Sequence, residues 1–399
     1  MPYHGGVSQR FSARTSWDLG ESSYAAAVRE ARASGRTLYD LTVSNPTHCG
    51  FDYDAEAILA PLTNVNALVY DPDPRGLCGA REAVAAYYAD HGVEVDPGAL
   101  VLTTSTSESY SFLFRLLCDP GDEVLVAQPS YPLFDFLATL DDVRLRPYPL
   151  FYDRGWWIDF AELERSIGPR TRAILVVHPN NPTGHWTGPA ESEVLEELCA
   201  RHGLALIVDE VFLDYPLVSQ PSKPPRSFAS GAHPVLTFVL SGLSKVAGLP
   251  QMKAAWLLAL GPESATAQAQ ARLEVIADTF LSMSAPVQLA LPKWLAGRHS
   301  VQTQILERAR ANLATLTRLA GTEPGGLEAL VTEAGWSAVI SLPGCVGEPE
   351  CAERLVRERG MVVHPGSFYG MAEAGRVVVS LIGPTGEFEA SILGAIRQL

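Results

Sequence analysis

Between Ala99 and Lys245 the chain alternates short apolar runs with stretches of helical periodicity. The runs at 99–103, 173–177, 204–208 and 237–240 each have a strand's length and lack polar alternation, so they read as strands covered on both faces. Helical patterns such as 192–202 lie between them. That rhythm predicts a doubly wound, mostly parallel α/β sheet, in which ligands bind outside the carboxyl ends of the strands. The polar residues sit at those ends. The run at 99–103 gives way to Thr104-Ser105-Thr106-Ser107-Glu108, that at 173–177 to His178-Pro179-Asn180-Asn181-Pro182, and that at 204–208 to Asp209-Glu210.

The run at 237–240 leads into Ser241-Gly242-Leu243-Ser244-Lys245. A lysine amine at a strand end, among small and hydroxylic residues and partly desolvated, loses some preference for its charged form and can condense with an aldehyde. Taken alone, it reads equally as a surface lysine; its partners give it weight. Ser105 with Glu108 matches a capping box, and a helix start with successive hydroxyls offers free N–H groups to a phosphate as well as plain capping. Asp209, delivered by a buried strand, needs a cationic partner. Tyr131 follows a strand end on the turn Gln128-Pro129-Ser130-Tyr131-Pro132, where it stacks on a planar ligand or is simply half-buried. Ser44-Asn45-Pro46 is either an everyday turn or a placement of the Asn45 amide over a cleft.

From about Leu281 the pattern changes to long helices (301–319, and one from 350) with two strands at 338–342 and 376–381, the signature of a smaller α+β domain. We expect an N-terminal arm with part of the small domain at 1–45, a large domain at 46–280, and a small C-terminal domain at 281–399. The segment 218–226 reads as an exposed Pro/Ser loop. With 30 Lys+Arg against 45 Asp+Glu, the net charge of −15 disfavours binding to a phosphate backbone, so no nucleic-acid partner is expected. The first ten residues carry no apolar signal region and no apolar run approaches a membrane span, which points to the cytoplasm and away from a membrane. Six scattered cysteines without a CxxC pair suggest reduced thiols and no metal site.

The order Asn181-Pro182-Thr183-Gly184, strand-end Asp209-Glu210, then Ser241-Gly242-Leu243-Ser244-Lys245 resembles the class I/II aminotransferases, pyridoxal-phosphate-dependent enzymes of fold type I. The resemblance covers almost the whole chain. It implies that Lys245 holds pyridoxal 5′-phosphate as an aldimine and then shuttles a proton. It further implies that Asp209 pairs with the ring nitrogen, that Asn181 bonds the phenolic oxygen and that Tyr131 stacks on the ring. The phosphate falls to Ser105, Thr106 and Ser107, to Ser241 or Ser244, to Lys253, and to Tyr70 of a second subunit. That last role implies a homodimer with active sites at its interface.

Four positions depart from the family pattern. Ser105 stands for a frequent glycine. Lys253 stands for an arginine, keeping charge but losing the bidentate fork. Phe212 replaces the tyrosine that donates to the phenolic oxygen. Val378 occupies the place of the arginine that clamps the substrate's α-carboxylate, with Arg376 two residues earlier on the same strand face. Either Arg376 takes over, or Asn45, Asn181 and main-chain amides hold the carboxylate, or the substrate is not an ordinary α-amino acid. The activity so implied is transfer of an amino group between an amino acid and a 2-oxo acid; a lyase, decarboxylase or cyclase on the same fold is the alternative. An aminotransferase-like transcriptional regulator would need a DNA-binding module, and a nicotinamide enzyme a GxGxxG that is missing after the first strand. Trp156, Trp157, Trp336 and Phe368 are candidates for a side-chain pocket, and His364 for the cleft.

Overall fold

The computed structural model describes residues 10–218, 226–281, 283–320, 327–342, 348–373 and 375–396. An eight-stranded sheet runs in the order Leu100–Thr103, Ala255–Leu260, Thr237–Gly242, Ala205–Asp209, Thr171–Val177, Glu123–Gln128, Arg144–Tyr152, Trp156–Ile158. From Thr237–Gly242 to Arg144–Tyr152 the neighbours pair in parallel; Ala255–Leu260 pairs antiparallel with both of its neighbours, and so does Trp156–Ile158 with its one neighbour. Leu100–Thr103 therefore points the same way as the central strands. One edge of the sheet collects the carboxyl ends of Leu100–Thr103, Glu123–Gln128, Thr171–Val177, Ala205–Asp209 and Thr237–Gly242.

The continuous apolar runs have the explanation expected of them. Every residue of Ala205–Asp209 and of Thr237–Gly242 is buried, because helices cover both faces. The helix Pro189–His202 on one face begins with proline at its first position and stops at Gly203, whose φ of 67° is left-handed. Cys78–Asp90 and Ala285–Gly297 pack together on the sheet, and Ala290, Leu291, Trp294 and Leu295 enter its core.

A second sheet is antiparallel, in the order Glu328–Ala329, Ser337–Ser341, Arg376–Ser380, His364–Pro365. Its core gathers Tyr24, Ala27 and Val28 from helix Ser23–Ala33 with Ile305, Ala309 and Leu316 from His299–Ala320. The N-terminal segment is tied to it again by Tyr39–Asp40, which pairs in parallel with Met361–Val362. Of the expected loop at 218–226 only Val218 and Arg226, and of the first ten residues only Arg10, lie within the described residues. Cys49, Cys78, Cys118 and Cys199 are free thiols. Cys351 is disulfide-bonded, against the expectation of reduced thiols throughout.

The two bodies are stitched along 333–335. Ala334 N–H donates to the Gly184 carbonyl at 3.2 Å, Gly335 N–H to that of Tyr215 at 2.9 Å, and Trp186 N–H to Glu333 Oε2 at 3.0 Å. Gly184, at φ 68°, is required here, since a Cβ would stand 2.5 Å from the Ala334 carbonyl oxygen and 2.6 Å from Thr332 Cγ2. Left-handed strain and that backbone clash together put the expected cost of Gly184→Ala at about 2–3 kcal/mol. A thermal melt of the variant checks this, and a melting temperature equal to wild type would show that the stitch yields without cost.

Candidate active site

A cavity of about 460 Å³ opens at the carboxyl edge of the large sheet, where the second sheet faces it. The large body contributes Ser105, Thr106, Ser107, Tyr131, Asn181, Asp209, Ser244, Lys245 and Lys253, all named by the sequence. The second sheet closes the cavity with Trp336, His364, Tyr369, Val378 and Ser380.

One end suits an anion. The helix Thr106–Leu117 starts there, capped by Ser105, whose Oγ accepts from Glu108 N–H at 3.2 Å while Glu108 Oε2 accepts from Thr104 N–H at 2.7 Å. Half of the predicted capping box forms: Ser105 caps the helix, but Glu108 reaches the N–H of Thr104, one residue before the cap, and not that of Ser105. The cap consumes the Ser105 side chain's acceptor role but leaves the first-turn N–H groups of Thr106 and Ser107, their hydroxyls and the positive end of the helix dipole facing the cavity. Lys253 lines the cavity with them, held in the left-handed region at φ 53°, with no carboxylate among the described residues in ion-pair contact. Ser244 lines the cavity too, whereas Ser241 is fully buried within the strand Thr237–Gly242 and its Oγ has no hydrogen-bond partner among the described residues.

At the other end Asp209 finishes the strand Ala205–Asp209 and is buried. Its Oδ1 accepts from Val211 N–H at 3.0 Å and its Oδ2 from the Tyr110 hydroxyl at 2.7 Å. Burial pushes the carboxyl's pKa up, and those two donors together with the charge of Lys245 hold it down. Lys245 forms no ion pair with it. The lysine Nζ lies 5.8 Å from the centroid of the Trp336 ring and 6.0 Å from that of Phe212, and desolvation lowers its pKa against the pull of Asp209. Its backbone is fixed by Tyr215, whose hydroxyl donates to the Lys245 carbonyl at 2.6 Å. A desolvated amine and a buried carboxylate share one cavity without forming an ion pair with each other. The amine, the carboxylate and the hydroxyl-lined helix start, all on the wall of one cavity, have the chemistry to hold pyridoxal phosphate.

Asn181 and Tyr131 also line the cavity. Tyr131 is 43% exposed and rests edge-on against Phe134, so one face of the phenol is left for a ligand. Phe212 brings a bare ring to the wall and no hydroxyl.

The two remaining substrate candidates are corrected. Arg376 does not line the cavity: its Nη1 pairs with Glu373 at 2.9 Å and its guanidinium lies 5.3 Å over the Trp156 ring. Strand alternation does put it on the face of Val378 and Ser380, but a local carboxylate and a facing indole take up its charge. Asn45 is exposed and turned back on its own chain, its Oδ1 accepting from Thr47 N–H and from the Thr47 hydroxyl. The cleft position beside it belongs to Ser44 and Thr42. Tyr70 is 75% exposed and away from the cavity of its own chain. Of the aromatic candidates only Trp336 reaches the wall; Trp156 belongs to the large sheet's core, Trp157 lies against Phe151, and Phe368 meets Tyr24 edge-on. His364 does face the cavity, with its Nδ1 3.1 Å from the Tyr369 hydroxyl.

Tyr110, Thr42, Ser44, Tyr369 and Ser380 were not singled out from the sequence. Tyr110 had a signal: it lies one helical turn beyond Thr106, on the apolar face that must cover the sheet. Tyr369 had none, because its place depends on the turn at Gly370, where Gln128 Nε2 donates to the Gly370 carbonyl at 2.5 Å and Ser130 N–H to that of Tyr369 at 3.0 Å.

Comparison with known proteins agrees with this geometry. The family model described as aminotransferase class I and II matches residues 63–384. The glutamate-pyruvate aminotransferase AlaA of Haemophilus influenzae is 28% identical over 280 residues, 69% of this chain and 68% of its own. Capreomycidine synthase of Streptomyces vinaceus is 29% identical over 325 residues, 80% of this chain and 78% of its own. Among solved structures, the alanine aminotransferase of Pyrococcus furiosus superposes with a TM-score of 0.86 at 21% identity, covering 98% of this chain and 99% of that one.

Proposed function

The chain belongs to the class I and II aminotransferases, and from that premise we infer how its own residues move an amino group between an amino acid and a 2-oxo acid with pyridoxal phosphate. The observation that carries the reading is the desolvated Lys245 sharing a cavity with the buried Asp209, each without an ion-pair partner among the described residues. Bound pyridoxal phosphate supplies an aldehyde for amines and a ring that takes up the electron pair of a bond broken next to the nitrogen. Lys245 Nζ would hold the cofactor and would move the proton at the substrate's α carbon. Asp209 would orient the ring by its nitrogen and favour that nitrogen's protonated form. Asn181 donates its amide to the ring's oxygen, alone among the two donors usual in the family because position 212 is phenylalanine. Tyr131 covers one ring face. Thr106, Ser107, Ser244 and Lys253 grip the phosphate, with Ser105 as the cap that fixes the helix start and Ser241 behind it.

The substrate's carboxylate meets Val378 where the family has arginine, so we assign it to hydroxyl and amide donors on the wall: Thr42, Ser44, Ser380 and Asn181. Dimerisation belongs to the same proposal. Tyr70 and the neighbouring Leu59, Val65, Leu68 and Val69 are all exposed large apolar side chains within twelve residues, the kind of cluster that marks an interaction site, and a second copy would bring Tyr70 to the partner's phosphate end. We assign 1–45 with 281–399 to the part that closes on substrate and 46–280 to the cofactor domain, with helix Ala285–Gly297 packed on the latter. Residence in the cytoplasm completes the proposal; the four free thiols favour it and the disulfide at Cys351 weighs against it.

A second reading, a lyase, decarboxylase or cyclase, is favoured by Val378 and by the likeness to a synthase. One experiment separates the two: follow the visible absorbance of the holoenzyme through a panel of amino acids with no oxo acid present. Bleaching to the pyridoxamine form, with one equivalent of 2-oxo acid released, is the expected result. A band that persists while ammonia or carbon dioxide appears would replace transfer by the second reading.

A further inference from the structure

We propose that Tyr110 is a positioning residue for the cofactor's ring nitrogen, acting through Asp209: its hydroxyl holds that carboxylate ionised and aimed into the cavity. The inference rests on the reading of Asp209 as the nitrogen's partner and extends it to a residue of the cavity wall that acts through that carboxylate.

Tyr110 is 2% exposed, and its hydroxyl donates to Asp209 Oδ2 at 2.7 Å. A carboxylate can only accept, so the phenol is the donor. Burial and the nearby Asp209 charge push the phenol's own ionisation far up, which keeps its proton in place. The other carboxylate oxygen is committed to Val211 N–H. Asp209 is thereby clamped at both oxygens in one orientation, with its remaining lone pairs toward the cavity. Hydrogen bonds to the charged form are what keep a buried carboxyl ionised. Of the titratable groups whose charge reaches Asp209, Lys245 favours the anion and Glu210 opposes it, while Tyr131 and Tyr88 are neutral phenols. Once Lys245 is bound to an aldehyde, the hydroxyl and the amide are the constant support.

The helix gives this a second consequence. Tyr110 lies four residues beyond Thr106, about 6 Å along the axis, so Thr106–Leu117 presents its N-terminus to the phosphate and its next turn to the ring-nitrogen partner. The phenol ring is set by edge contact with Phe134 at 5.0 Å, and Phe134 in turn meets Tyr131 at 6.0 Å. One packed row therefore runs from the residue covering the ring face to the one steering the carboxylate.

The test is the protonation of the ring nitrogen in holoenzyme loaded with [15N]pyridoxal 5′-phosphate, read by its chemical shift as pH is varied, with cofactor affinity of the apoprotein measured beside it. Tyr110→Phe keeps the ring and removes the donor. The nitrogen's protonation midpoint is expected to fall by about one pH unit or more, with roughly tenfold weaker cofactor binding. In an Asp209→Asn background the same change is expected to add nothing. If Asp209→Asn moves the midpoint and Tyr110→Phe does not, Tyr110 only packs and the proposal falls. If neither moves it, the reading of Asp209 falls first and the proposal with it. Should Tyr110→Phe not fold, Tyr110→Met, which fills the space with a flexible apolar chain, takes its place against the same outcomes.

Discussion

Lys245→Ala is expected to lose roughly 10⁴-fold or more in turnover, because in the proposed reading one side chain both holds the cofactor and moves the α-carbon proton. It is not expected to unfold the protein. The lysine's pKa is lowered by burial, so in the folded chain its charged form is disfavoured; the sign is that of a base whose stability contribution is lost as pH falls below its ordinary value of about 10.4. At neutral pH the wild-type apoprotein already carries that penalty, and alanine removes it, offsetting the packing lost on truncation. The apoprotein's melting temperature at pH 7 should therefore change little. Adding pyridoxal phosphate should give wild type its visible chromophore and a higher melting temperature, and give the variant neither. Full turnover in the variant would overturn the assignment.

The fold was legible in the sequence because its determinants are local. Fully apolar strands can exist only between two helical layers, and four such runs in rhythm leave few arrangements besides the parallel sheet. The Ser105 cap was readable for the same reason, since a helix start is written within four residues; the Glu108 side chain closes on Thr104 instead of on the cap. Lys245, Asp209, Asn181 and Tyr131 were found because strand ends at one sheet edge converge by topology, whatever the packing detail.

The substrate end was less legible, since it depends on contacts between distant segments. Strand alternation gave Arg376 the correct face, yet Glu373 and Trp156, one a neighbour three residues away and the other more than two hundred residues distant, decide where its charge goes. Asn45 was placed in the right turn, but an Asx turn spends its side chain on Thr47. Tyr369 enters the cavity only because the turn at Gly370 docks on Gln128, a contact 242 residues apart in the chain. Helix Ala285–Gly297 follows the change of pattern at 281 but packs on the large sheet, a matter of which apolar face it meets and not of chain order.

Asp209→Asn is expected to cost roughly 10²–10³-fold in turnover, the range for removing one preorganised electrostatic group. The apoprotein provides an independent check. Burial raises the pKa of the Asp209 carboxyl, so the folded chain holds its proton more tightly than the unfolded chain does. Stability is then present at low pH and is lost as pH rises from about 3.9, the ordinary aspartate value, through the raised one. Asparagine cannot titrate. Its altered hydrogen bonds with Tyr110 and Val211 shift the melting temperature by an amount independent of pH, whereas the penalty it removes grows across that window. The variant's melting temperature relative to wild type should therefore rise with pH in the apoproteins. With saturating pyridoxal phosphate the order should change, since ligand bound to the native state stabilises it by RT ln(1 + [L]/Kd) and the wild-type carboxylate then has its cation. Parallel melting curves in both states would mean that Asp209 carries no buried charge and does not meet the ring nitrogen. Opposite slopes in the two states would mean that the group costing the empty fold its stability is the one that retains the cofactor.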